Sequence, residues 1–199
     1  MSAPLKKGKI TGLFFGSFNP VHIGHLIIAN HMIEWTPIDE VWFVVSPQNP
    51  LKNKSTLLED HHRLALVNVA IEDNHKFKAS NIEFGLPKPS YTINTLTALS
   101  EKYPDRNFAL IMGADNLQTI HKWRNFEMIL KEHRIFVYPR HESDGGTFRI
   151  HPNVSWVDAP LMQISSTSIR EAIRAGKSVK YLLPEKVYEY ILEMHFYCK

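Results

Sequence analysis

Two histidines lie three residues apart in a segment that otherwise has the composition of a turn between a strand and a helix. The segment runs from Gly16 to His25, with the sequence GSFNPVHIGH, and it follows an apolar run. Asn19 is a favourable N-cap residue and Pro20 a favourable first helical residue. This register predicts that His22 lies in the first turn of a helix and that His25 shares its face.

A helix that begins at the end of the first strand of an α/β sheet is a common site for anionic ligands. Its free backbone N–H groups and the positive end of its dipole both face the ligand, and here two imidazoles would join them. Gly16 allows a tight turn, and Gly24 lacks a Cβ, so that a flat base could approach the backbone between the histidines. The segment therefore predicts a site for a phosphate group with a base beside it.

Three other interpretations of this segment are open. The histidines could begin a zinc site, but no Cys, His or Asp partner stands nearby at metal-ligand spacing. They could also be ordinary core histidines, and the glycines could be turn residues only. The complete ten-residue string, placed after the first strand, favours ligand binding over these.

Four hydroxyl residues open a second helical pattern near the end of the chain. The segment reads Ile164-Ser165-Ser166-Thr167-Ser168-Ile169-Arg170 and supplies a helix cap with spare donors. Arg170 would lie about one turn into the helix, where its planar guanidinium suits a phosphate. A plain helix cap is the alternative, and only the pairing with the first segment favours a second phosphate site.

The elements that must position these residues alternate along the chain. Short apolar, β-branched or aromatic runs predict strands over residues 10–15, 41–46, 77–82, 108–112, 134–138 and 154–157. Helical spacing between them, including residues 91–99, predicts an α/β, Rossmann-like doubly wound parallel sheet. Helices over 167–175 and 184–196 form a helical C-terminal portion. We expect one domain over 1–199, with residues 46–57 and 140–152 as loops, the second of them a flexible excursion or hairpin tip.

Composition excludes several classes of protein. The chain has 199 residues, 44% of them hydrophobic, and a formal net charge of +3, which is too small and too dispersed to predict a nucleic-acid partner. Its one cysteine, Cys198, excludes an internal disulfide. No stretch is long enough for a membrane span and no targeting segment is visible, so we expect a cytoplasmic protein with no membrane partner. The oligomeric state stays open, and a homo-oligomer is one possibility.

The pairing of His-x-Gly-His after the first strand with Ile-Ser-Ser-Thr-x-Ile-Arg near the end resembles the nucleotidylyltransferase superfamily. Within it, the chain is similar to the bacterial nicotinate-nucleotide adenylyltransferases over nearly its whole length. Further shared motifs are Pro-Ser-Tyr-Thr at 89–92, Gly-Ala-Asp at 113–115 followed by Trp123, and a closing helix at 182–191.

Two segments depart from the pattern of that family. Its Gly-Gly-Thr-Phe-Asp-Pro is here Phe15 followed by Gly16-Ser17-Phe18-Asn19-Pro20, so that an asparagine replaces the acidic residue. Its Pro-Pro-His-Lys loop is here Asn49-Pro50-Leu51-Lys52, and Leu51 in place of histidine leaves only Lys52 as a counterpart.

The resemblance implies an adenylyltransferase that joins ATP and nicotinate mononucleotide to give nicotinate adenine dinucleotide and pyrophosphate. It implies that the reacting phosphates are held by His22, His25 and Arg170, and ATP also by Gly16, Ser17, Gly24, Ile164, Ser165, Ser166 and Thr167. It implies an acceptor site formed by Lys52, Tyr91, Thr92, Asp115 and Trp123. Mg²⁺ is expected to bind mainly through the triphosphate rather than through a protein metal site.

Other classes of function are compatible with parts of the pattern. The string His-Ile-Gly-His also occurs in class I aminoacyl-tRNA synthetases, but their Lys-Met-Ser-Lys-Ser segment and RNA-binding domains have no counterpart here. A sibling transferase that adenylates phosphopantetheine would lack the features at Tyr91, Thr92 and Trp123. A nucleotide-sensing module without catalysis is the third alternative, and the intact histidines and serines count against it.

Overall fold

A computed structural model describes residues 8–47 and 57–198 of the chain. Six strands form one fully parallel sheet in the order β3-β2-β1-β4-β5-β6. Their bounds are β1 Ile10–Gly16, β2 Glu40–Val45, β3 Phe77–Ser80, β4 Asn107–Gly113, β5 Ile135–Tyr138 and β6 Val154–Trp156. The predicted parallel α/β sheet is therefore confirmed, including all six strands.

Seven α-helices connect and cover the strands in the described part of the chain. They are α1 Ile23–Trp35, α2 Asp60–Ile71, α3 Thr92–Lys102, α4 Ala114–Gln118, α5 Phe126–Glu132, α6 Ser166–Arg174 and α7 Glu185–Glu193. Short 3₁₀ helices lie at Ile82–Gly85, Ile120–Lys122, Gly146–Ile150 and Lys180–Leu182. The helical C-terminal portion is confirmed, although α7 ends three residues before the predicted limit.

The sheet separates two apolar cores because alternate residues of each strand point to opposite faces. Phe14 and Phe43 pack on one side with residues of α1, α2, α6 and α7. Leu13 and Val44 pack on the other side with residues of α3, α4 and α5. Helices on both faces of a parallel sheet confirm the doubly wound architecture.

The order of the strands reverses between β1 and β4, which are neighbours in the sheet. In open α/β sheets, ligands bind at the carboxyl ends of the strands on either side of such a reversal. β1 ends at Gly16 and β4 ends at Gly113. The sheet thus brings the first histidine segment beside residues 113–115, which are about a hundred positions away in the chain.

The predicted start of the first helix was wrong. α1 begins at Ile23 with His22 at the N-cap, whereas Asn19 and Pro20 lie before the helix. Asn19 does not cap α1 because its side-chain oxygen accepts hydrogen bonds from Leu58 N and the hydroxyl of Tyr197. The local preference of asparagine for N-caps is thus overridden by tertiary contacts.

The predicted loop at 140–152 connects β5 to β6 and begins with an antiparallel bridge between Arg140 and Ser143. It contains the 3₁₀ helix Gly146–Ile150, and the Ser143 hydroxyl donates to Gln118 Oε1 of α4 at 2.8 Å. Gly145 and Gly146 both have positive φ, which suits glycine at this turn.

None of the helices within 8–47 and 57–198 is long and apolar enough to cross a membrane.

Candidate active site

One pocket lies at the carboxyl ends of β1 and β5. Its lining includes residues from the predicted histidine segment, from the end of β5 and from the segment before α6: Phe14, His22, Gly24, His25, Ile28, Tyr138, Pro139, Arg140, Met162 and Ile164. Four of the residues predicted to bind ATP or its phosphates therefore share one cavity. The two predicted segments, separated by about 140 residues in sequence, meet there.

The two histidines stack on each other at the start of α1. Their ring centroids are 3.7 Å apart with an interplanar angle of 30°. His22 N donates to His25 Nδ1 at 3.2 Å, and a neutral ring that accepts through Nδ1 carries its proton on Nε2. The backbone of the helix start therefore fixes both the tautomer and the orientation of His25.

His22 is buried and lacks a full set of hydrogen-bond partners. Only 5% of the residue is exposed, and its Nδ1 makes no hydrogen bond within residues 8–47 and 57–198. Burial, with a smaller contribution from the positive charge of Arg140, lowers the pKa of His22 from 6.5 to about 4. The ring is therefore neutral at pH 7 in the free protein.

The low pKa of His22 predicts a specific loss of stability in acid. As pH falls below 6.5 the unfolded chain binds a proton at His22, whereas the folded chain does so only near pH 4. The free energy of unfolding is therefore expected to fall by about 3 kcal/mol, through His22 alone, as the pH drops from 6.5 to 4. Above pH 6.5 His22 makes no further difference, because the ring is neutral in both states. Urea unfolding at several pH values measures this effect. The free energy of unfolding should depend less steeply on pH for His22→Asn than for wild type, since all other titratable groups are common to both. Identical slopes would contradict the assignment.

The glycines of this segment also make close packing contacts. A Cβ at Gly24, which lines the pocket, would lie 3.1 Å from His22 Nδ1, so the imidazole of His22 packs against this glycine. A Cβ at Gly16 would lie 2.9 Å from the ring of Phe18. The turn itself has its positive φ at Phe18, not at Gly16.

The second predicted segment forms the start of α6 as expected. Ser165 is the N-cap, and its hydroxyl oxygen accepts from Ser168 N at 3.1 Å. The Ser166 hydroxyl donates to the carbonyl of Pro20 at 2.9 Å, which ties the start of α6 to the first segment. Ser165 and Thr167 are exposed at the mouth of the helix, where their hydroxyls can reach a ligand.

Arg170 also contacts the first segment. Its Nη1 donates to the carbonyl of Asn19 at 2.8 Å and its Nη2 to the Thr167 hydroxyl at 3.4 Å. Its Nε is buried and has no acceptor among the described residues. Burial lowers the pKa of Arg170, but an arginine remains charged at neutral pH. The guanidinium thus holds the loop before α1 and retains one donor without a partner.

Four buried side-chain atoms lack a hydrogen-bond partner within the described residues, and three of them belong to segments predicted to bind ligands. These three are His22 Nδ1, Ser90 Oγ and Arg170 Nε, and the fourth atom is Glu83 Oε2. Buried polar atoms without partners are rare in native proteins and call for an explanation such as a bound molecule. Their distribution supports the predicted segments as the functional region.

Arg140 is a candidate site residue that the sequence reasoning missed. It follows the carboxyl end of β5 by two residues, lines the pocket, and has its Nε 3.7 Å from Asp115 Oδ1. A Cβ at Gly113 would lie 2.4 Å from that carboxylate oxygen and 2.9 Å from Arg140 Cγ, so the close pair requires glycine there. A cation directly after a strand end was the signal that could have identified it.

Two of the residues predicted for an acceptor, Tyr91 and Thr92, lie at the start of α3. Tyr91 is the N-cap of α3 and Thr92 its first residue. The guanidinium of Arg124, which follows Trp123 in the chain, lies 5.1 Å from the centroid of the Tyr91 ring. Trp123 is half-buried against the second core. Lys52, the remaining predicted acceptor residue, falls outside the described residues.

A buried arginine, also missed from the sequence, connects the loops around the site. Arg63 of α2 is fully buried and donates to the carbonyls of Ser17 at 2.6 Å, Ser46 at 2.8 Å and Leu58 at 2.9 Å. Its Nη2 also lies 2.5 Å from Asp60 Oδ1. Truncating a buried charge of this kind typically costs about 3–5 kcal/mol, so Arg63 is a main structural support of these loops.

Comparison with known proteins agrees with this geometry. The model of the cytidylyltransferase-like family matches residues 13–172, which span both predicted segments. The chain belongs to the cytidylyltransferase-like family. It is 56% identical over 190 residues to a protein of Flavobacterium johnsoniae named as a probable nicotinate-nucleotide adenylyltransferase, covering 94% of this chain and 98% of that protein. A protein of Flavobacterium psychrophilum with the same name is 55% identical, with the same coverage.

A solved structure has the same fold as this chain. The nicotinic acid mononucleotide adenylyltransferase of Plasmodium falciparum, in complex with NaAD, superposes with a TM-score of 0.80 over 95% of this chain and 97% of that one. Its sequence identity of 20% means that this likeness concerns the fold alone. The resemblance inferred from the sequence motifs is confirmed by the family match and by the relatives.

Proposed function

We propose that this chain is an adenylyltransferase that joins ATP to nicotinate mononucleotide, forming nicotinate adenine dinucleotide and pyrophosphate. The relatives that are more than half identical carry the name of this activity. The observation that carries the proposal is the convergence of His22, His25, Arg140 and Ile164 on one pocket at the reversal of strand order. A cation, a helix start and an apolar wall then meet where this fold holds nucleotides.

The reaction needs charge stabilisation more than proton transfer. The acceptor phosphate monoester has a second pKa near 6, so it is largely dianionic at neutral pH and needs no general base. Its oxygen forms a bond to the α-phosphorus while the bond from that phosphorus to the bridging oxygen breaks, and pyrophosphate leaves. The protein must therefore hold two anions in line and stabilise the spreading charge.

Residues that line the pocket, together with others at the adjoining start of α6 and end of β1, suit that task. His22 and His25 lie at the start of α1, where backbone dipole and imidazole N–H groups can face the phosphates. Ser165, Thr167 and Arg170 offer hydroxyls and a cation from the start of α6. Arg140 supplies a second cation from the end of β5. We assign Ser17 to the same phosphate cradle because it directly follows β1.

Mg²⁺ is the cofactor that fits this arrangement. Residues 8–47 and 57–198 contain no group of three His, Cys, Asp or Glu side chains able to hold a metal, so the ion would be held mainly by phosphate oxygens. Asp115, whose side chain is about half exposed, is the carboxylate that we assign to the ion or to a hydroxyl of the acceptor. The ion would neutralise charge on the triphosphate.

The test is pyrophosphate release from ATP and Mg²⁺ with each acceptor in turn. Nicotinate mononucleotide should give pyrophosphate and an equal amount of the dinucleotide, measured by chromatography. Release with phosphopantetheine alone would assign the chain to the sibling transferase. Binding of ATP without release for any acceptor would favour the nucleotide-sensing module and overturn the proposal.

Arg170→Ala is expected to weaken ATP binding by about tenfold, because a charge-assisted contact contributes about 1.5–3 kcal/mol. Binding of the acceptor should be almost unchanged, since Arg170 lies at α6 and the acceptor segment at α3. Titration calorimetry with each ligand separately provides the measurement. Arg174→Ala, one turn further along α6 and exposed, is the matched control. An equal loss for both ligands would mean that Arg170 only supports the fold.

A further inference from the structure

The chain does not end with helix α7 but turns back toward the loop that precedes α1. His195 and Tyr197 both have positive φ, which ends the helix and reverses the direction of the backbone. Phe196 N donates to the carbonyl of Ile191 at 3.0 Å, so the turn is closed by hydrogen bonds. As a result Tyr197, two residues before the last residue of the sequence, is only 7% exposed.

The hydroxyl of Tyr197 donates to Asn19 Oδ1 at 2.9 Å in a buried hydrogen bond. The same oxygen accepts from Leu58 N at 3.2 Å, and the carbonyl of Asn19 accepts from Arg170 Nη1 at 2.8 Å. Asn19 is thus the point where the C-terminal turn, the segment before α2 and helix α6 meet. It lies three residues before His22, the N-cap of the helix that carries both histidines.

The surroundings keep the tyrosine hydroxyl as a proton donor. Burial raises the pKa of Tyr197 well above its usual value, and the positive charges of Arg63 and Arg170 nearby offset this only in part. Both arginines also hold the loop residues, Arg63 through the carbonyl of Ser17 and Arg170 through that of Asn19. Removing the hydroxyl would leave an oxygen of Asn19 with one partner fewer in a buried position.

We infer that Tyr197 is a positioning residue for the ATP-binding loop, acting through Asn19 on residues 17–22. The inference rests on the proposed function, in which that loop carries the phosphate contacts. The C-terminal turn would therefore influence the ATP half of the reaction. The acceptor segment at Tyr91 and Thr92 belongs to α3 on the other face of the sheet and would be left unchanged.

The experiment compares Tyr197→Phe with Tyr181→Phe. Both substitutions remove one phenol hydroxyl, but Tyr181 is 86% exposed and serves as the matched control. We expect Tyr197→Phe to raise the KM for ATP and to weaken binding of a non-hydrolysable ATP analogue by about tenfold, because small displacements in a binding site are costly. The KM for the acceptor should change by less than about twofold. Thermal unfolding of each variant shows whether it is folded at the assay temperature.

A second variant tests the same bond from the other side. Asn19→Ala should weaken ATP binding at least as much as Tyr197→Phe, and the double variant should be no worse than Asn19→Ala, because the hydroxyl acts only through Asn19. This arm also keeps the test decisive if Tyr197→Phe does not fold. A lowered melting temperature with unchanged ATP binding, an equal change for both substrates, or additive effects in the double variant would each overturn the inference. Inactive wild-type protein that still binds the ATP analogue would count against the proposed function alone.

Discussion

His22→Ala is expected to lower turnover by about a hundredfold or more while the protein stays folded. Removing one preorganised donor that faces the transition state typically costs about 3 kcal/mol. His22 is a candidate for such a donor because it is buried, stacked against His25 and left with an unpaired nitrogen among the described residues. Binding of the triphosphate would raise the pKa of His22 from about 4, since an adjacent anion favours the protonated ring.

Single-turnover and steady-state kinetics with saturating ATP and acceptor provide the measurement. His75→Ala is the matched control, because His75 is exposed just before β3, at the amino ends of the parallel strands, whereas the pocket lies at their carboxyl ends. Circular dichroism and thermal unfolding establish that both variants are folded. Turnover near that of wild type in folded His22→Ala would contradict the role assigned to this histidine.

The second large effect concerns the acceptor, for which we expect nicotinate mononucleotide to be preferred over nicotinamide mononucleotide. α3 begins at Thr92 behind the extended Tyr91, and the first N–H groups of a helix have no carbonyl partner within it. A carboxylate suits such donors, whereas an amide would bring its own N–H₂ group against them. Leaving polar groups unpaired costs about 1–3 kcal/mol, which corresponds to roughly tenfold or more in kcat/KM.

Two cations near the start of α3 affect this expectation in opposite ways. Arg124 lies over the ring of Tyr91 and so places positive charge beside the start of α3. Lys88, which the sequence suggested as a nearby charge, is 3.6 Å from Asp60 Oδ2 and is therefore partly neutralised. The preference for the acid should thus depend more on Arg124 and the helix start than on Lys88.

Comparison of kcat/KM for the acid and the amide tests the selectivity directly. Trp123→Ala should also raise the KM for the acceptor, because we expect its half-buried ring to stack on the pyridine. Trp35→Ala is the control, since Trp35 is 68% exposed at the end of α1. Equal rates with both acceptors would overturn the selectivity, and an unchanged acceptor KM in Trp123→Ala would remove the stacking role.

The sequence by itself determined the class of fold and the two segments at the pocket. Strands and helices follow from the local spacing of apolar residues, which is visible without tertiary information. The segments 16–25 and 164–170 combine caps, glycine, histidine and hydroxyl residues within a few positions, so their chemistry can be read locally. The start of α6, which depended on such a short pattern, is confirmed within one residue, whereas the start of α1 was predicted three residues too early.

Only the tertiary structure decided how these parts act together. Packing buries His22 and strand order brings Arg140 into the same pocket, so that burial, with a smaller contribution from Arg140, lowers the pKa of the histidine. Asn19 was predicted to cap α1, but it bonds instead to Tyr197, 178 positions away. Such contacts depend on which segments pack together, and a buried polar group takes the partner that packing supplies. Local sequence preference cannot specify that partner, and this is why Arg63 and Tyr197 could not be identified from the sequence alone.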